Sequence, residues 1–138
     1  MVNISSMFLP KGRIVATDHF RWFDHVYRSN RDQPLKYDKI IILQNGDTAS
    51  SSENMIAALN DNLDNVELIG TETFGKGIGQ FTLPLRRGYA VKATILQWFT
   101  PAGVNIQGDG IDPDIEYTDD DIIEFALSRF QWGPGIQR

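Results

Sequence analysis

The sequence predicts an α/β fold on three observations. Ile40-Ile41-Ile42-Leu43 is an unbroken apolar run, mostly β-branched, of the kind found in parallel strands buried on both faces. It leads into Gln44-Asn45-Gly46-Asp47, a turn signature, and then into a stretch from about Ser51 to Asn62 with Met55, Ile56, Leu59 and Leu63 on one helical face. Val66-Glu67-Leu68-Ile69 reads as the next strand. Strand, turn, helix and strand make a βαβ unit. It places Ser50 at the C-terminal edge of a sheet, where open α/β folds carry their chemistry.

The other elements follow in chain order. Val2 to Leu9 has Ile4, Met7 and Phe8 at helical spacing and is stopped by Pro10-Lys11-Gly12. Arg13 to Thr17 reads as a strand, and Asp24 to Arg28 as a second short one. Trp22, Phe23 and Tyr27, in a segment of weak pattern from Asp18 to Tyr37, are expected to pack rather than to bind a ligand. Phe81–Leu85 and Tyr89–Phe99 are two strands around an Arg86-Arg87-Gly88 turn. Thr100–Gly103 and Gly110–Asp114 are loops. Asp119 to Phe130 is a last helix whose acidic first turn suits the helix dipole, docked by Ile122, Ile123, Phe125, Ala126 and Phe130. Gln131 to Arg138 is expected to fray.

A chain of 138 residues is one domain's worth, long enough for a core, and its mixed charge reads as globular rather than disordered. The net charge of −5, with Lys and Arg scattered, argues against a nucleic-acid partner. The absence of cysteine removes thiol catalysis, disulfides and thiolate metal sites and leaves the redox compartment open. His19 and His25 lack the spacing of a helical zinc pair, so no metal is expected. No run approaches membrane-spanning length. Met1 to Ser5 lacks the basic and apolar regions of a signal peptide and reads as the middle of a helix.

The chemistry-bearing residues are in Thr48-Ala49-Ser50-Ser51-Ser52-Glu53 and Thr73-Phe74-Gly75-Lys76-Gly77. A serine at a helix mouth and a lysine in a glycine-rich turn are the two parts of a Ser-Lys hydrolase. The serine supplies the hydroxyl, and a neutral lysine amine takes its proton. The Ser51 amide at the helix N-terminus is a candidate oxyanion donor, and Gln80 a candidate to orient the lysine. The structural reading of the same residues is plain. Ser50-x-x-Glu53 is a capping box, and a lysine in a turn is ordinarily solvated. Apolar Phe74 and Ile78 on either side of Lys76, and glycines that permit close backbone approach, favour a desolvated amine instead.

Gly70-Thr71-Glu72-Thr73-Phe74-Gly75-Lys76 also matches the first seven positions of a P-loop. Gly77 stands where a magnesium-binding Ser or Thr belongs, and Ile78 to Leu83 alternates like a strand instead of opening the helix that cradles phosphate. A nucleotide is therefore not expected.

Together, Thr48–Glu53, Thr73–Gly77, Gln80, Phe99-Thr100-Pro101-Ala102-Gly103 and Gly110-Ile111-Asp112-Pro113-Asp114 resemble the carboxy-terminal processing, or tail-specific, serine proteases, over roughly residues 4 to 116. The resemblance implies a fold related to the crotonase and ClpP (ββα) architecture. It implies Ser50 as nucleophile, Lys76 as general base and Gln80 as its partner, with no metal, cofactor or nucleotide. It implies cleavage of protein or peptide substrates near their C-termini, in an extracytoplasmic setting such as the periplasm or cell envelope. Residues 1–118 would be the C-terminal portion of the catalytic domain, and 119–138 a terminal helix and tail.

The family usually has alanine where Ser51 stands and one residue fewer between serine and lysine. The Asn60–Asn65 loop accommodates the extra residue. Family members also carry a PDZ domain and an upstream strand with an asparagine- and glycine-rich turn that gives a second oxyanion donor. The expectation is therefore a partial protease domain that is inactive by itself. The alternatives are a non-catalytic binding module of the same fold, as in retinoid-binding repeats, or a homo-oligomer formed through exposed sheet edges.

Overall fold

A computed structural model describes residues 1–130. The expectation for Gln131–Arg138 lies outside them. The βαβ unit forms as its local patterns require: β3 (Ile40–Gln44), α2 (Ser51–Asn60) and β4 (Val66–Gly70), with β3 and β4 parallel and Ile40 opposite Val66. A two-residue strand, β7 (Ile115–Glu116), completes a three-stranded sheet in the order β3-β4-β7. The second sheet is antiparallel. It comprises β1 (Ile14–Phe20), β2 (Asp24–Arg28), β5 (Ile78–Pro84) and β6 (Ala90–Phe99), in the order β2-β1-β6-β5. Helices α1 (Val2–Phe8) and α3 (Ile122–Ser128) flank the chain's ends.

The core joins the two halves. Leu9, Val15, Ala58 and Leu59 form one buried cluster, with Phe8, Tyr27, Ile42, Met55 and Leu63 packed around it. Leu68 and Ile69 of β4 are likewise buried. None of the described helices is long and apolar enough to cross a membrane.

Several sequence expectations are corrected. In α1 the buried residues are Ser5 and Ser6, while Ile4 and Met7 are exposed. The two-turn helix is oriented by Leu9 in the core cluster, by Phe8 packed against that cluster and by Ser6, whose hydroxyl accepts the Asn30 N–H; of the expected stripe only Phe8 docks. β1 runs on to Phe20 because residues Thr17–Phe20 pair with Phe99–Leu96 of β6, a partner far away in sequence. Trp22 and Phe23 do not pack in the core. They sit in the β1–β2 turn, 82 and 60% exposed, with Arg21 lying over the Trp22 ring. Tyr27 is half-buried and donates to Asp18.

β3 is parallel as expected but is an edge strand, and Leu43 is exposed rather than buried between two covered faces. α2 ends at Asn60 and α3 spans only Ile122–Ser128, with Ile123 pointing outward and not docking the helix.

Candidate functional site

α2 begins immediately after Ser50, whose backbone adopts φ 56° and ψ −113°. An ordinary N-cap residue lies in the extended region, whereas a positive φ on a residue with a side chain costs on the order of 1–3 kcal/mol. Capping alone does not require it. A serine at a sharp, strained strand-to-helix turn is the geometry by which hydrolases lift a nucleophile above a sheet. Ser50 is half-buried, and Ser51, as the first helical residue, has an N–H without an intrahelical acceptor. Asn54 N–H donates to the Ser50 carbonyl at 2.9 Å, which fixes the first turn.

Glu53 organises the site. It is fully buried, and its carboxylate accepts from four donors. Oε2 takes the Ser50 N–H at 2.6 Å and the Lys76 N–H at 3.0 Å, while Oε1 takes the Thr73 hydroxyl and the Gly75 N–H, each at 2.7 Å. The bond back to Ser50 N–H is half of the expected capping box. The other three go to the lysine loop. Since one oxygen serves both Ser50 and Lys76, the two backbones stand side by side. Phe74 N–H adds a bond to the Thr48 carbonyl at 2.9 Å.

The lysine loop is held from its other side as well. Trp98, buried, donates its indole N–H to the Lys76 carbonyl at 2.7 Å. The Gly77 N–H donates to Gln107 Oε1 at 3.0 Å, and Asn105 donates to the Gly77 carbonyl at 2.8 Å. The flanking glycines permit this closeness. A Cβ on Gly75, which has φ +79°, would stand 2.7 Å from the Gly110 nitrogen, and one on Gly77 would stand 2.6 Å from that of Gln107. Thr73 ties in the Gly110–Asp114 loop by accepting the Ile111 N–H at 2.8 Å.

Lys76 itself is half-buried. Phe74 is 63% exposed, so it does not form the apolar wall expected beside the lysine. Among the described residues no hydrogen bond joins the Ser50 hydroxyl to the Lys76 amine. Gln80 is not brought onto the lysine either. It is exposed on β5, at 3.5 Å from Thr94 Oγ1, beside a bulge where the β5–β6 register shifts after Gly79. A cleft of about 700 Å³ adjoins the site at the end of β3, lined by Leu43, Gln44, Asn45, Thr48, Thr71 and the Tyr117–Asp120 segment, but neither Ser50 nor Lys76 lines it.

Sequence reasoning saw Glu53 only as a capping partner. Its bonds to Thr73, Gly75 and Lys76 cross more than one element and leave no local signature. The comparisons with known proteins cover this same stretch. The model of peptidase family S41 matches residues 1–117, every described element except α3. The carboxy-terminal-processing protease of Bartonella bacilliformis is 39% identical over 115 residues, 83% of this chain and 26% of that protein. The chloroplastic C-terminal processing peptidase of Tetradesmus obliquus is 31% identical over 115 residues, 83% of this chain and 25% of its own length. Among solved structures, the photosystem II D1 C-terminal processing protease superposes with a TM-score of 0.73 at 30% identity, covering 84% of this chain and 30% of that one. The chain thus spans about a quarter of the length of these curated relatives. With the family's model matched from the first residue through β7, and its curated peptidases similar over the same residues, this chain belongs to peptidase family S41.

Proposed function

We propose that this chain carries the nucleophile and general base of a Ser-Lys peptidase that trims proteins near their C-termini. Ser50 Oγ attacks the substrate carbonyl while the Lys76 amine accepts its proton. The tetrahedral oxyanion faces the Ser51 N–H at the helix mouth. Lys76 then passes its proton to the leaving amine, and water, deprotonated by the same amine, hydrolyses the acyl-enzyme. Gln80 orients the lysine once substrate closes the site. The reaction needs no metal, cofactor or nucleotide, and its partner is an unstructured protein or peptide tail, with no nucleic acid. The bacterial and chloroplastic relatives favour an extracytoplasmic setting.

The observation that carries this reading is the shared Glu53 oxygen: a mere helix cap has no use for a buried carboxylate that also grips the lysine loop. The test is cleavage of an unstructured polypeptide by a longer S41 polypeptide containing this chain. Ser50→Ala should abolish turnover and leave folding nearly intact, because a lost cap costs only about 1 kcal/mol. Lys76→Arg should be as inactive as Lys76→Ala, because a guanidinium stays protonated. Wild-type rates in Ser50→Ala would reduce Ser50 to a cap and favour a non-catalytic binding module.

A further inference from the structure

The hairpin of β5 and β6 differs in composition from the rest of the chain. No Asp or Glu occurs from Thr73 to Gly108, so all 18 acidic residues lie outside this stretch, while Lys76, Arg86, Arg87 and Lys92 lie within it. Its strands alternate. Phe81 and Leu83 stand opposite Ala93 and Val91 on one face, and Gln80 and Thr82 stand opposite Thr94 and Lys92 on the other. An amphipathic sheet ordinarily lays its apolar face on a core. Here Phe81, Leu83 and Val91 are 56, 50 and 50% exposed. Among the described residues Arg86, Arg87 and Lys92 have no ion pair or hydrogen-bonding side-chain partner.

The same molecule carries the complement. Ile123 and Leu127, one turn apart on α3, are 60 and 42% exposed. Asp119, Asp120, Asp121 and Glu124 crowd the start of that helix. The Tyr117 hydroxyl registers the crowding. Its hydrogen bond to Asp121, with Asp119 and Glu124 nearby, pushes its pKa up to about 12. No hydrogen bond or ion pair joins hairpin and helix within one chain, among the described residues.

We propose that the apolar face of the β5–β6 hairpin docks on the exposed face of α3 in a second copy of this chain, with Arg86, Arg87 and Lys92 set against Asp119, Asp120 and Glu124. Reciprocal exchange closes a two-fold dimer in which each copy covers both of the other's open faces. An anionic lipid surface would engage the hairpin but leave the acidic, apolar face of α3 uncovered, and so fits less of the molecule. Charge steers this association and apolar contact holds it, so added salt weakens it without abolishing it.

Sedimentation velocity of the 138-residue chain over a concentration series, at low and high salt, tests this. A dimer is expected whose Kd rises with salt. The Arg86→Glu/Arg87→Glu variant and the Asp119→Lys/Asp120→Lys variant should each be monomeric at concentrations where the wild type pairs, with unchanged circular dichroism. Mixed together they should form a heterodimer, because each then presents the opposite charge to the other. Leu83→Ser, which leaves charge alone, should also weaken the dimer. A wild-type chain that stays monomeric, a dimer indifferent to both reversals, or variants that fail to pair when mixed would overturn the proposal. So would a monomer that co-sediments with phosphatidylglycerol vesicles and loses that binding on Arg86→Glu/Arg87→Glu. All these readouts are independent of peptidase activity.

Discussion

A carboxylate without access to solvent needs donors for its lone pairs, and Glu53 meets four of them, two on each oxygen. In Glu53→Gln one oxygen becomes an NH2 group; at the Oε2 position it confronts the Ser50 and Lys76 N–H donors, and at the Oε1 position the Gly75 N–H and the Thr73 hydroxyl, so at least one buried backbone N–H is left unpaired. An orphaned buried donor costs about 1–3 kcal/mol. Glu53→Gln should therefore lower the unfolding free energy of the 138-residue chain, read from its urea midpoint, by about 1–3 kcal/mol or more, in contrast to the smaller effect of Ser50→Ala. A midpoint within experimental error of the wild type would mean that the two loops hold together without Glu53. The strained backbone of Ser50 belongs to the same scale. The Glu53 bond to its N–H and the Asn54 bond to its carbonyl hold φ 56° in place from both sides.

At the scale of elements, Glu67 couples the strands to α3. Its carboxylate pairs with Lys39, just before β3, at 2.9 Å, and with Arg129, at the end of α3, at 2.7 Å. Arg129, bidentate through Nε and Nη2, is the main cause of a pKa lowered to about 2; burial opposes it, and Lys39 adds to the lowering. A carboxyl whose folded pKa lies below its unfolded value stabilises the fold above the unfolded pKa. That stability is lost as pH falls toward the folded pKa. The difference in unfolding free energy between wild type and Glu67→Gln should therefore be constant above about pH 4.5, shrink below it and vanish near pH 2. A difference that is flat from pH 7 to pH 2 would show that the pair contributes nothing.

At the scale of the whole molecule, the chain holds the Ser50, Lys76 and Ser51 groups but spans about a quarter of the curated peptidases it matches. Loss of a single oxyanion donor typically costs a hundred- to a thousandfold in turnover, and loss of substrate positioning adds to that. The 138-residue chain should fold, through β3, α2 and β4, and show no serine-dependent cleavage of a denatured protein when fragments are followed by mass spectrometry. Cleavage abolished by Ser50→Ala would mean that the site is complete with the Ser51 amide as its oxyanion donor.

The parts of this fold legible in the sequence are those written within a few residues. The Ile40–Leu43 run, the Asn45-Gly46 turn, the helical spacing from Met55 to Leu59 and the Arg87-Gly88 turn each carry a period or a dihedral preference that does not depend on what packs against it. The helix mouth after Ser50 and the glycine-flanked turn at Lys76 were legible for the same reason, since both are local features. Covering was not legible. Ile4, Met7, Trp22 and Ile123 are as apolar as Leu9 and Leu68, yet only the latter two are buried. Burial depends on which distant segments arrive to exclude water, and a period of 2 or 3.6 names a face without naming its neighbour. Nor could the pattern show Glu53 holding Ser50 and Lys76 on one oxygen. That required α2 and the Thr73–Gly77 loop to meet, and their meeting is set by the packing of β3, β4 and Trp98 around them.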